Sequence, residues 1–241
     1  MIVGSTKEDL LLEKRVSLTP ETAKNIISLG LKVCVEKDYA SHIGIQDKEY
    51  QDAGVEIKNS TNEVLSSCNL LIKVNCPSEN EISNLKEKTI IIGMLNLSKN
   101  KNQINTIVRK NINAFSLELL PRITRAQSMD VLSSQSNLAG YRAVIDSIFE
   151  FEKAVPMMMT AAGTVPAAKV LIIGAGVAGL QAIATAKRLG AIVSATDVRT
   201  ASKEQVESLG GKFLTVEQSE DMETSGGYAK EASDDYKKKQ A

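Results

Sequence analysis

Apolar positions along the chain fall into two rhythms. Short runs of aliphatic and β-branched residues at 2–4, 31–35, 70–74, 89–93 and 114–116 have the length and content of buried strands. The stretches between them carry helix signals. Thr19-Pro20-Glu21 is a helix start: the Thr19 hydroxyl suits the cap, Pro20 suits the first helical position, and Glu21 favours the positive end of the helix. Gly30 ends that helix, and a further helix is predicted over 103–110. Strands and helices in alternation predict a mostly parallel sheet with helices covering it.

The rhythm breaks at 121–136, where Pro121-Arg122-Ile123-Thr124-Arg125-Ala126-Gln127-Ser128-Met129-Asp130 is polar and unlike a crossover helix. A long helical pattern follows from about 136 to 153, with Leu138, Ala139, Ala143, Val144 and Ile148 at helical spacing. It connects to a second alternating region. There Val170-Leu171-Ile172-Ile173 forms a continuous apolar run, a helix is predicted over 180–189 with Gly190 at its end, and strands are predicted at 192–196 and 213–216. Thr200 or Ser202 suits the cap of the intervening helix. The expected fold is α/β, with two Rossmann-like domains of mostly parallel sheet: an N-terminal α/β domain over 1–135 and a second domain over 136–241.

Between the apolar run and the helix lies Gly174-Ala175-Gly176-Val177-Ala178-Gly179. GxGxxG alone is a weak signal; between a strand and a helix, with an acid closing the next strand, it is a strong one. Gly174 permits the tight turn, Gly176 lets the backbone approach a pyrophosphate, and Gly179 lets the helix pack against the strand. The helix N-terminus at Val177 and Ala178 offers N–H groups and a positive dipole end to phosphates. Asp197 stands 18 residues beyond Gly179, where a carboxylate accepts from ribose hydroxyls and repels a 2′-phosphate. NAD(H) is therefore favoured over NADP(H). Arg199 works against that preference, because an arginine at this place can accept the phosphate.

The polar loop is the second candidate. Were the chain helical from Gln127, then Gln127, Asp130 and Ser133 would share a face, and with Arg122 they could bracket a nicotinamide and its ribose. Spacing alone favours the plainer alternative, a solvated loop with an internal Arg–Asp pair.

Composition removes other classes. The 29 basic and 29 acidic residues balance, so the basic excess typical of nucleic-acid binders is missing. No apolar run reaches the ~20 residues that span a bilayer. A single histidine, His42, leaves no His-based triad or His-rich metal site, and it reads as a surface or satisfied histidine. Cys34, Cys68 and Cys76, odd in number and without metal-like spacing, read as reduced core thiols. Met157-Met158-Met159 reads as adaptable core or interface packing.

The run from Pro121 to Asp130, with Asn137-Leu138-Ala139-Gly140-Tyr141-Arg142, Thr160-Ala161-Ala162-Gly163-Thr164-Val165-Pro166 and Gly226-Gly227-Tyr228-Ala229-Lys230, resembles the NAD(H)-binding component of proton-translocating NAD(P) transhydrogenases. The resemblance covers the whole chain. It implies that Arg122, Gln127 and Asp130, with Ser133, hold the nicotinamide, that Asp197 is the ribose acid, and that Tyr228 sits on a loop closing over the nucleotide. It also implies hydride transfer between NADH and NADP⁺, with NADP(H) on a partner component and a membrane-spanning partner coupling the transfer to proton movement. The hydride then passes directly between two nicotinamides, so no catalytic acid, base or nucleophile and no metal is needed. The implied assembly contains a homodimer of this component, peripheral to the cytoplasmic face of the inner membrane through its partners and not itself inserted.

The same family is related to alanine dehydrogenase. Glu13-Lys14-Arg15-Val16 and Lys73-Val74 resemble that enzyme's substrate-carboxylate residues, but Asn96 stands where its catalytic histidine is expected. This leaves Arg15 and Lys73 as structural residues, and amino-acid dehydrogenation as the alternative activity. A non-catalytic NAD(H)-binding module is the other alternative. The resemblance further implies a second domain incomplete at its C-terminal side after the third strand, with sheet edge and apolar surface left exposed.

Overall fold

The structure, a computed structural model, describes residues 1–121 and 123–215. The chain divides into two compact units, one spanning Met1–Met129 and one beginning at Asp130.

The first unit is built on six strands: β1 (Ile2–Ser5), β2 (Lys32–Glu36), β3 (Glu56–Lys58), β4 (Leu70–Asn75), β5 (Ile90–Met94) and β6 (Asn113–Ser116). They lie in the order β3-β2-β1-β4-β5-β6, and every neighbouring pair is parallel. The chain therefore winds outward in both directions from β1, as a doubly wound sheet does. Helices α1 (Pro20–Ser28), α2 (Asp47–Asp52), α3 (Thr61–Ser67), α4 (Glu79–Asn84) and α5 (Lys101–Arg109) make the crossovers. Thr19 caps α1 as its sequence indicates. Its hydroxyl accepts from Thr22 N–H at 3.2 Å, and its own N–H donates to the Thr22 hydroxyl at 2.8 Å. The short helices α2, α3 and α4 leave no periodic trace in the sequence. They are set by their first turns, where Gln46 pairs with Glu49 and where Ser60 and Ser78 accept from Glu63 and Glu81 N–H.

Two apolar layers hold this sheet. Val3, Val33, Val35, Tyr39 and Tyr50 fill one, and Leu65, Leu71, Ile82, Ile91 and Ile107 the other. Cys34 and Cys68 are wholly buried thiols, and burial pushes Cys68 up to about 12; Cys76 is half-buried. Lys73 is a core lysine. Its ammonium donates to Glu81 at 2.8 Å and to the Lys7 carbonyl at 3.1 Å, with Glu8 at 3.9 Å. Arg15 is held just as closely, its guanidinium donating to Glu13 at 2.8 and 2.6 Å. Both cations thus have carboxylate partners from this unit, as befits structural residues. His42 is exposed, and its Nε2 lies 2.8 Å from the Lys14 carbonyl.

The Glu13–Arg15 pair makes one stability prediction. The Arg15 side-chain hydrogen bonds, opposed by burial, hold Glu13 down to about 2. That is below its value in an unfolded chain, ~4.3. The stabilisation is therefore complete above the unfolded value and is lost as pH falls toward 2. Urea titrations should show Glu13→Gln less stable than the parent at neutral pH, with the gap closing on acidification. A gap independent of pH would refute the assignment.

The second unit opens with α6 (Val131–Glu150), followed by the antiparallel hairpin β7 (Met158–Thr160) and β8 (Gly163–Val165). The remaining elements are β9 (Lys169–Ile173), α7 (Val177–Arg188), β10 (Ile192–Thr196), α8 (Ser202–Ser208) and β11 (Lys212–Phe213). Strands β11, β10 and β9 form a parallel sheet in that order. Val144, Ile183, Ala186, Val193, Ala195 and Val206 form the core between helices and sheet.

Three expectations are corrected in this unit. Helix α6 starts at Val131 and not near 136, because Asp130 caps it. Neither Thr200 nor Ser202 caps α8: Ala201 takes that place with no side-chain bond. Of the two alternatives read for Met157, Met158 and Met159, core packing is set aside, since they are 60%, 44% and 77% exposed. The exposed apolar edge expected here is present. Among the described residues β9 is paired on one side only, and Leu171 and Ile173 are 56% and 76% exposed. No described helix is long and apolar enough to cross a membrane.

Candidate nucleotide-binding site

The end of β9 and the start of α7 build the centre of the candidate site. β9 stops because Gly174 turns the backbone to φ +94°, a region that residues with a Cβ rarely adopt. Gly174 N–H donates to the Thr196 carbonyl at 2.8 Å, which ties the turn to the end of β10. Ala175 is fully buried, and Gly176 occupies the N-cap of α7 with no side-chain cap. The first-turn N–H groups at Val177 and Ala178 are therefore not taken by a capping side chain. Gly179 lies so close to Gly174 that a Cβ on it would fall on the Gly174 carbonyl oxygen.

Asp197 follows β10, and its carboxylate does more than sequence spacing assigns to it. One oxygen accepts from Ala175 N–H at 2.6 Å, inside the glycine turn. The other accepts from the Arg199 N–H at 2.8 Å. The Arg199 guanidinium grips both oxygens, with Nε at 2.9 Å and Nη2 at 3.0 Å. Burial disfavours the charged form, but the Arg199 side chain and the Arg199 and Ala175 N–H groups outweigh it and hold Asp197 below the usual carboxylate range. The carboxylate is thus ionised and fixed beside the turn. Arg199 Nη2 lies 3.8 Å from the point where a Cβ on Gly176 would stand.

The open cradle over Gly176, the uncapped helix start and the fixed anion suit the adenosine and pyrophosphate of a dinucleotide. Gly174, Gly176, Val177, Ala178, Gly179 and Asp197 would hold it.

The polar loop takes a different form from the single helical face considered for it. Thr124–Met129 is a 3-10 turn of the first unit, with Gln127 exposed on it. Asp130 leaves helical geometry to cap α6, at φ −73° and ψ 87°. Its carboxylate accepts from Ser133 N–H at 2.9 Å and from the Ser133 hydroxyl at 2.7 Å. The structure therefore joins Asp130 and Ser133 as a helix cap, because an aspartate with a free N–H three residues on satisfies the helix end in this way. Arg122 and Tyr228 lie outside the described residues. Asn96 sits exposed in a left-handed turn at φ +45°, its N–H donating to Glu118 at 2.6 Å.

One residue that supports the site has no role assigned to it by the sequence motifs. Gly140, buried in the middle of α6, passes so close to α7 that a Cβ there would overlap the Ala178 carbonyl oxygen. A lone glycine inside a long helix, where it costs ~1 kcal/mol relative to alanine, was the available signal.

Residues 4–139 match the family described as Alanine dehydrogenase/PNT, N-terminal domain, and residues 143–234 match Alanine dehydrogenase/PNT, C-terminal domain. The chain is 50% identical to an NAD(P) transhydrogenase alpha-subunit chain of Rhodospirillum rubrum, over all of this chain and 65% of that protein. It superposes on the crystal structure of transhydrogenase from Sinorhizobium meliloti with a TM-score of 0.86 and 50% identity, covering 90% of this chain and 64% of that one. A structure of L-alanine dehydrogenase gives a TM-score of 0.76 at 25% identity, covering 89% of this chain and 60% of that one. The chain therefore spans just under two thirds of the length of these relatives. By sequence and by fold, it belongs to the alanine dehydrogenase/PNT family.

Proposed function

We propose that this chain is the NAD(H)-binding component of a proton-translocating NAD(P) transhydrogenase. The observation that carries the reading is the Asp197 carboxylate, ionised and bonded at 2.6 Å to Ala175 N–H within the glycine turn, in a chain 50% identical to a transhydrogenase alpha subunit. Bound NADH supplies the hydride, and NADP⁺ on a partner component receives it. The chain's own residues bind and orient. Gly176 admits the pyrophosphate, the α7 N–H groups balance its charge, and Asp197, fixed beside the turn, is the acid to which the family resemblance assigns the ribose. By the family resemblance alone, Arg122, Gln127, Asp130 and Ser133 are assigned to the nicotinamide and Tyr228 to the nucleotide. The partners are NADP(H)-binding and membrane-spanning subunits and a second copy of this component. The assembly lies on the cytoplasmic face of the inner membrane, with this chain peripheral to it.

Amino-acid dehydrogenation is the weaker reading. Asn96 supplies no acid or base, and Arg15 and Lys73 are committed to Glu13 and Glu81. Ammonia-dependent reduction of pyruvate by the chain would establish it.

The test is a fluorescence titration of NADH and NADPH into the purified chain and two variants. Asp197→Ala should weaken NADH binding about tenfold to a hundredfold, as expected for hydrogen bonds to a charged group. Asn96→Ala should leave it near the parent value. Equal effects of the two substitutions would sink the assignment.

A further inference from the structure

We propose that Arg199 is a specificity-determining residue of this site: a latent 2′-phosphate clamp that Asp197 holds closed by pairing with it. The inference rests on the proposed NAD(H) reading and adds a second means of selection to it. Asp197 excludes a 2′-phosphate in part by direct repulsion. Repulsion alone would leave a neighbouring arginine able to compensate for it, since an arginine at this point of a Rossmann site accommodates the phosphate of NADP(H). Here the guanidinium is engaged. Its Nε and Nη2 donate to the two carboxylate oxygens at 2.9 and 3.0 Å, and the carboxylate is only 5% exposed. A planar fork bound to both oxygens of one carboxylate cannot present the same two N–H groups to a phosphate.

The position of the fork makes it a clamp and not merely a surface ion pair. Nη2 lies 3.8 Å from the Cβ point of Gly176, so the guanidinium that grips the ribose acid also lies beside the second glycine of the turn. The third partner of the carboxylate is Ala175 N–H at 2.6 Å. Asp197 is thereby anchored to the turn itself, and Arg199 is anchored to Asp197. A 2′-phosphate arriving beside Asp197 meets a fixed anion and a cation already neutralised by that anion. With the carboxylate removed, the same phosphate would meet a guanidinium that Asp197 no longer neutralises.

The test compares NADH and NADPH affinities of the purified chain with Asp197→Asn, Arg199→Gln and the double substitution, each checked for fold by circular dichroism. Asparagine keeps an acceptor for Ala175 N–H while removing the charge. Asp197→Asn should bind NADPH about tenfold to a hundredfold more tightly than the parent does, a gain in absolute affinity. The double variant should lose that gain. A gain of equal size in the double variant would mean that repulsion alone sets selectivity, and would overturn the role of Arg199. No gain in Asp197→Asn would overturn it as well. Asp197→Ser, which also keeps an acceptor, carries the same prediction if the asparagine variant fails the fold check. A parent chain that binds neither nucleotide would overturn the NAD(H) reading for this chain and the inference with it. A parent that binds NADH while the variants fail these predictions overturns the inference alone.

Discussion

Gly179→Ala should unfold the nucleotide turn and abolish NADH binding. The added methyl would fall on the Gly174 carbonyl oxygen, with the Gly174 carbonyl carbon 2.9 Å away and Ile172 Cγ2 3.6 Å away. Backbone atoms cannot rotate aside as a flexible side chain would. Gly174 is itself pinned, because its N–H donates to Thr196 at 2.8 Å and the next N–H donates to Asp197 at 2.6 Å. Relief therefore requires α7 to lift away from β9 or the turn to abandon both bonds. Overpacking of this kind costs about 1–3 kcal/mol and more where backbone is involved. The expected result is a lower thermal midpoint and an NADH affinity reduced at least about a hundredfold, read by calorimetry and fluorescence titration. Gly176→Ala provides the contrast. Gly176 has φ −77°, and only Arg199 Nη2 lies near its Cβ point, at 3.8 Å. That variant should fold as the parent does and still lose affinity, because its methyl occupies only the ligand's approach. A Gly179→Ala chain with an unchanged midpoint would show the close approach of α7 and β9 to be incorrect.

Gly140→Ala should destabilise the second unit although alanine is the better helix former. Helix propensity alone favours the substitution by ~1 kcal/mol. Against this, a Cβ at Gly140 would overlap the Ala178 carbonyl oxygen, with the carbonyl carbon 2.8 Å away. Two helices packed backbone to backbone can separate only by giving up the contacts around Val144 and Ala182. The clash outweighs the propensity, so the net change should be a loss of about 1–3 kcal/mol, measured as a lower urea midpoint. NADH affinity should fall too, because Ala178 belongs to the first turn of α7, whose N–H groups are proposed to receive the pyrophosphate. A stabilised Gly140→Ala chain would mean that the helices do not touch there.

The alternation of strands and helices, the glycine turn and Asp197 were legible along the chain because they rest on local chemistry. A buried parallel strand needs an unbroken apolar run, a turn at φ +94° needs glycine, and the acid stands at a fixed remove along the βαβ unit. Helices α2, α3 and α4 were not legible, since each is too short to show a period and is set by hydrogen bonds at its own start. The start of α6 was misplaced because the Asp130 cap outweighs the apolar pattern that follows it. Other features depend on groups far apart in sequence. Gly140 is required by a carbonyl on α7, Lys73 by Glu81 and the Lys7 carbonyl, and the Ala175–Asp197 bond by the meeting of two strand ends. The Asp197–Arg199 pair is local in sequence, but its meaning is not: the guanidinium becomes a matter of specificity only where the packing of β9 against β10 lays it over Gly176. Distances between groups remote in sequence are set by packing, and no periodicity or spacing along the chain encodes them.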